Sequence, residues 1–214
     1  VHEPLEEYCF QELIRLSPKT GKEQIMIELG AYWGHYSMWF KKFVKNSKCI
    51  LVEPDTRNLQ AGKHNFSRNN LDAEFIKAFV SEHDFTIDGY IASKAIKNIH
   101  LLHADIQGYE LDMLKKSQIA LSKKKINYLM ISTHGSEMHS KCLDEISRHQ
   151  YEIEVTSEPD YHSTSHDGFI FARKYGCRPI IGHERTLGRT EIAISSCEKL
   201  LNYLNEVHNK RPIN

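Results

Sequence analysis

No stretch of this 214-residue sequence approaches the roughly 18 consecutive apolar positions of a membrane span, so the chain is expected in water rather than in a bilayer. An excess of either charge is missing too. Lys+Arg and Asp+Glu both total 28, which leaves no global field to attract nucleic acid or to repel an anionic ligand. There is no C-x-x-C pair, and Cys9, Cys49, Cys142, Cys177 and Cys197 are odd in number and scattered, so neither a disulfide framework nor a thiolate zinc site is suggested. The opening VHEPLEEYCF has neither the basic segment nor the apolar core of a secretion signal, and a reducing, cytoplasmic setting is the expectation. Gly-x-Gly-x-x-Gly and Gly-x-x-x-x-Gly-Lys-Ser/Thr are absent, which disfavours a dinucleotide-binding protein and a P-loop enzyme.

What is present is a rhythm. Spaced apolar residues from Leu5 to Leu16 predict a first helix, stopped by Ser17-Pro18 and Gly21. QIMIEL reads as a buried strand, 35–44 as an amphipathic helix, CILVE as a second strand, and Asp55 or Thr56 caps a helix toward Arg68. AEFIKAFV is a third strand candidate, followed by loop with a short helix near 92–96. NIHLLHA, GYELDMLKKS, INYLMIST and 137–149 continue as strand, helix, strand and helix. YEIEVTS and GFIFARK have only a polar loop between them, which predicts an antiparallel hairpin at the end of the sheet. The expectation is an α/β fold of about seven strands, mostly parallel, with a terminal hairpin and flanking helices. Residues 1–20 read as an N-terminal helical extension, 21–175 as the catalytic domain, and 176–214 as an extension whose helix, 196–207, covers an edge with Leu200, Leu201 and Leu204.

The first strand-to-helix corner, ELGAYWGHYS, puts Gly30 and Gly34 where a backbone must turn or let a ligand come close. Glu53 ends the second strand 23 residues after Gly30, and a carboxylate there accepts hydrogen bonds from both hydroxyls of a ribose. Ala31, Tyr32 and Trp33 fill the interval a pyrophosphate would need. That combination favours a ribose ligand with a compact charged tail, such as S-adenosylmethionine.

With ELGAYWGHYS at 28–37, VEPDTRNLQAGKHNFSRN at 52–69 and ADIQGYELDML at 104–114, the sequence resembles the FkbM-like branch of class I S-adenosylmethionine-dependent methyltransferases. The resemblance spans Ile25 to about Thr133 and implies a Rossmann-like methyltransferase fold. It departs from the family pattern at Glu-Leu-Gly-Ala-Tyr and at His-Ala-Asp-Ile-Gln-Gly. It also implies a hydroxyl acceptor on a small molecule or sugar-like scaffold, with N-methylation of a peptide or nucleobase, or a non-catalytic scaffold, as the alternatives. Glu28, Gly30 and Gly34 would frame the methionine part of the cofactor, Glu53 the ribose, and Val80, Ser81 or Glu82 the adenine.

Asp105, at the end of the fourth strand, is a candidate for cofactor contact and for the chemistry, with Glu110 in the first turn of the following helix. His134, after the fifth strand, is the preferred general base because an unperturbed imidazole titrates near 6.5. His139, His162, His166 and Asp167 are further rim candidates, but 13 histidines make coincidence common, and a metal-free reaction is expected. Tyr36 and Trp39 read as core, whereas Tyr32 and Trp33 are placed to cover a ligand. The lysine run 115, 116, 123, 124 and 125 reads as a solvated helix end and gives no nucleic-acid signal.

Overall fold

The computed structural model describes residues 3–17, 21–181 and 186–210. The strands are β1 (Gln24–Leu29), β2 (Ser47–Val52), β3 (Glu74–Ile76), β4 (Ile99–Ala104), β5 (Ile126–Thr133), β6 (Tyr151–Ser157) and β7 (Gly168–Lys174). The helices are α1 (Pro4–Leu16), α2 (His35–Phe43), α3 (Thr56–Arg68), α4 (Ile87–Ser93), α5 (Glu110–Lys115), α6 (Gln118–Ser122), α7 (Ser136–Arg148), α8 (Arg189–Ile194) and α9 (Cys197–Lys210). None of the described helices is long and apolar enough to cross a membrane.

All seven strands form one sheet in the order β3-β2-β1-β4-β5-β7-β6. Neighbours from β3 to β5 run parallel, and β7 lies antiparallel between β5 and β6. The parallel strands are near-continuous apolar runs because helices cover both faces. Ile27, Leu29, Leu102, Ala104, Leu129 and Ile131 pack on one face with Tyr90, Met113, Leu121 and Ile146 from α4 to α7. Met26, Cys49, Leu51, Leu101 and Met130 meet Phe10 and Leu13 of α1, Phe40 of α2 and Phe66 of α3 on the other. α1 is therefore part of the core: Cys9, Phe10 and Leu13 are completely buried.

Several boundaries differ from the sequence reading. β3 keeps only Glu74–Ile76 of AEFIKAFV; beyond it Phe79 is 64% exposed and Val80 makes an isolated bridge to Phe85. The short helix lies at Ile87–Ser93, earlier than 92–96, because Thr86 supplies an N-cap by accepting from the Gly89 N–H. α6 and α8 were not foreseen; each is too short to show a full amphipathic period. Leu201 and Leu204 of α9 are exposed, so the described part of that helix does not bury them over an edge. Lys116 pairs with Asp112 and Glu82, and Lys124 and Lys125 donate to the carbonyls of His149 and Ile96, in keeping with a solvated helix end.

His100 of β4 shows how this core handles a polar group. It is buried between the Phe40 and Tyr128 rings, and its Nε2 lies 3.1 Å from Ser17 Oγ. The Ser17 proton is already given to the Leu13 carbonyl, so His100 donates from Nε2 as a neutral imidazole. Burial pushes its pKa down to about 4. Below pH 6.5 the unfolded chain takes up this proton first, so the contribution of His100 to stability falls from pH 6.5 toward 4, by about 3 kcal/mol in all. His100→Gln, which still donates but does not titrate, should lose less thermal stability than the wild type between pH 7 and pH 5. Equal losses would show that His100 does not contribute to the acid sensitivity.

Candidate active site

Because β1, β2, β4 and β5 run parallel, Glu28, Glu53, Asp105 and His134 all come to the carboxyl end of the sheet. The strand order reverses between β1 and β4, and such a switch point leaves a crevice outside the strand ends. A cavity of about 780 Å³ opens there. Gly30, Glu53 and Asp105 line it, as does the start of α1 through Glu3 and Glu7.

The glycine corner is built for close approach. Gly30 has φ +71°, and a Cβ on it would lie 1.8 Å from the Asp105 carbonyl oxygen. The Asp105 N–H donates to the Leu29 carbonyl at 3.0 Å, so this contact locks the ends of β1 and β4 together. Gly34, at φ +82°, starts α2 with Leu51 and Phe66 close against it. Beneath the corner, Glu28 is buried and accepts from the Ser37 N–H at 3.1 Å; burial raises its pKa. Glu53 is held by N–H donors from Tyr32 (2.8 Å) and Asp55 (2.9 Å). A fixed carboxylate of this kind still has lone pairs for two hydroxyls.

Exposed aromatic rings surround the opening: Tyr32, Trp33, Phe79 and Tyr109. On the side assigned to adenine the lining residues are Phe79 and Val80. Ser81 and Glu82 are not among them: the Ser81 N–H turns back to the Phe85 carbonyl, and Glu82 pairs with His83 and Lys116. Ser81, expected at the adenine, thus lies outside the described lining of the crevice.

Behind Asp105 stands His134. Its Nδ1 is 3.0 Å from Glu110 Oε1, and its Nε2 is 3.4 Å from Asp105 Oδ1 and 3.5 Å from Asp167 Oδ1. The carboxylates of Asp105 and Glu110 outweigh burial and push the His134 pKa up to about 10. An imidazole protonated at neutral pH has no lone pair to accept a proton, so the expected general-base role does not suit His134 in this setting. Burial works against the charge of Asp105, yet His134, His103 and Gln107 keep its pKa below the usual value. Glu110 is fully buried; it accepts from the Ile106 and Gly108 N–H groups and so shapes the loop after Asp105. Of the other rim candidates, Asp167 joins this group and His166 is exposed. His139 is buried between Thr133 and Thr156, and His162 meets Ser157.

Sequence reasoning missed His103 and Glu6. His103 sits beside Glu28 in the β1–β4 register and lines the crevice. Its Nε2 is 2.6 Å from Glu6 Oε1, while Glu6 Oε2 accepts from Ser132 Oγ at 2.6 Å. Burial opposes a charge on His103, but Glu6, Glu28 and Asp105 push its pKa up to about 9. Glu3, half-encircled by other carboxylates, is pushed up to about 8 by burial and by Glu6, Asp105 and Asp167. The sequence offered only a histidine inside the apolar run IHLLHA.

Residues 48–153 match the Methyltransferase FkbM domain. No curated protein matches the sequence. Among solved structures, the precorrin-6y C5,15-methyltransferase of Geobacter metallireducens superposes with a TM-score of 0.55 at 12% identity, covering 80% of this chain and 87% of that one. TrmK of M. capricolum, in complex with S-adenosyl-homocysteine, gives 0.55 at 16% identity, covering 94% and 81%. A human methyltransferase 10 domain containing protein gives 0.57 at 13%, covering 81% and 83%. At such identities these likenesses show the fold.

The glycine corner is directly testable. Gly30→Ala should cost at least about 2 kcal/mol, through the clash with Asp105 and the positive φ together. Gly176→Ala, at φ +83° with nothing within 4 Å of the new Cβ, carries only the conformational part. Equal melting shifts for the two variants would show that the Asp105 contact contributes nothing.

Proposed function

We propose, from the match of residues 48–153 to the Methyltransferase FkbM domain, that this chain transfers a methyl group from S-adenosylmethionine to a hydroxyl oxygen of a small molecule or sugar-like scaffold. The observation that carries the reading is the crevice at the β1/β4 switch point, with a glycine corner on one side and the fixed Glu53 carboxylate on the other. Its volume suits a nucleoside cofactor together with part of an acceptor. The S-adenosyl-homocysteine bound to TrmK supports the choice of cofactor. No lysine or arginine is among the described residues that line the crevice, which favours an acceptor without phosphates over nucleic acid.

Each residue has a part in this reading. Glu53 takes the ribose hydroxyls, and the Tyr32 and Asp55 N–H groups keep its oxygens in place. Glu28 faces the methionine ammonium below the Gly30 turn, and Phe79 and Val80 take the adenine. The sulfonium supplies an electrophilic methyl group. Asp105, on the β4 rim, would orient the acceptor hydroxyl toward that methyl group. Glu110 and His134 position Asp105 and the loop that follows it. Tyr32, Trp33 and Tyr109 exclude water by closing over the acceptor.

Calorimetric titration with S-adenosylmethionine, S-adenosylhomocysteine and NAD separates the readings. Micromolar binding of the first two and none of NAD is expected; NAD binding alone would overturn the proposal. Glu53→Ala should weaken S-adenosylhomocysteine binding by on the order of tenfold or more while the protein still melts cooperatively, since it removes a bidentate acceptor. Unchanged affinity would remove Glu53 from the ribose. An acceptor screen with methyl-labelled cofactor, comparing neutral hydroxyl compounds with amines, then tests the choice of oxygen.

A further inference from the structure

The group behind the crevice holds more negative charge than its protein partners use. Asp105, Glu110 and His134 each offer a ligand atom, and these atoms all lie within 4.8 Å of one another. Asp167 adds a third carboxylate, 3.5 Å from His134 Nε2. Two buried atoms here make no hydrogen bond: His134 Nε2 and Oε2 of the completely buried Glu110. Buried polar atoms left without a hydrogen bond in such a place call for an explanation, and an ion is one of the accepted ones.

We propose that this cluster is a divalent-metal site, with His134 Nε2, Asp105 and Asp167 as ligands and Glu110 as the carboxylate that orients the imidazole. The division of roles follows from the hydrogen bonds. Glu110 Oε1 already faces three donors, the Ile106 N–H, the Gly108 N–H and His134 Nδ1. With Nδ1–H given to Glu110, the lone pair of the neutral ring is on Nε2, on the side of Asp105 and Asp167. A metal-bound histidine almost always gives its other N–H to a carboxylate or carbonyl in this way. Separations of 3.4 and 3.5 Å from Nε2 to the two aspartate oxygens are those of neighbouring ligands around one ion with bonds of about 2.1 Å. One imidazole and two carboxylates suit manganese or another borderline divalent ion, with open positions left for water or an acceptor oxygen.

The consequence for chemistry rests on the methyltransferase reading. Asp105 lines the crevice, so an ion on it reaches the acceptor. There it would lower the pKa of a coordinated hydroxyl, doing what a protonated His134 does not. The hydroxyl proton passes to solvent water, the oxygen lone pair forms the bond to the methyl carbon, and the C–S pair stays on sulfur.

The test uses Mn²⁺ on chelator-treated protein, followed by electron paramagnetic resonance. One Mn²⁺ per chain is expected, with nitrogen modulation from an imidazole in the bound signal. Asp105→Asn, Asp167→Asn and His134→Ala should each weaken uptake by on the order of tenfold or more, and His134→Ala should abolish the nitrogen modulation. The two asparagine variants keep side-chain shape, and a melt on each sample checks folding. No uptake below about millimolar Mn²⁺, or undiminished uptake in the folded Asp105→Asn and Asp167→Asn variants, would overturn the site and leave a carboxylate cage around a protonated histidine. S-adenosylhomocysteine calorimetry on the same samples keeps this outcome separate from a failure of the methyltransferase reading.

Discussion

One buried carboxylate ties the start of the chain to its middle. Glu6 of α1 is 3% exposed, and its two oxygens meet His103 of β4 and Ser132 of β5, 97 and 126 residues away. An ion pair so deeply buried adds little net stability, because desolvation offsets the attraction. Its effect is on position. Any shift of α1 along the sheet would leave a charge without a partner, and breaking a buried pair typically costs 3–5 kcal/mol. The helix therefore has one seat, and that seat brings Glu3 and Glu7 to the wall of the crevice. The segment that reads as an extension in the sequence forms a side of the site.

The rest of the rim follows from strand direction. Parallel strands deliver Glu28, Glu53 and Asp105 to the same end of the sheet. β7 reaches that end by running the other way. Its pairing of Gly168 with Thr133 places the residue before Gly168 next to the residue after Thr133, and these are Asp167 and His134. The inserted antiparallel strand is thus more than an edge: it brings a third carboxylate to the histidine. Glu110 completes the group from the first turn of α5, while its contacts with the Ile106 and Gly108 N–H groups hold the loop in between.

How much of this could be read in the sequence depended on whether the signal was local. QIMIEL and INYLMIST are continuous apolar runs, and they became β1 and β5 with the expected bounds. Gly30 and Glu53 were found because a turn and a strand end at a fixed separation imply a crevice before any side chain is placed. Ser81 was expected at the crevice because AEFIKAFV looked like one strand; the chain leaves the sheet after Ile76, and Phe79 lines the crevice instead. His134 was located correctly on the rim, but its protonation depends on Asp105, Glu110 and Asp167, contributed by three other segments. Glu6 and His103 were invisible for the same reason. A histidine within a strand and a glutamate on a helix become a pair only when two distant elements are packed together.

The charge balance makes the same point on a larger scale. Equal numbers of acidic and basic residues give a formal net charge of zero, yet the described lining of the crevice has five carboxylates, from Glu3, Glu7, Glu28, Glu53 and Asp105, and no lysine or arginine. Topology, not composition, made this local field. Burial and crowding push the pKa of Glu3 up to about 8, so at neutral pH this wall of the crevice carries a bound proton in place of a charge, and burial also raises the pKa of Glu28. A positive ligand entering there favours the ionised Glu3 and releases its proton, which links its affinity to pH and makes it tighter as pH rises toward 8. A neutral ligand of the same shape gains no such advantage. The crevice thus concentrates carboxylates although the formal net charge of the whole sequence is zero.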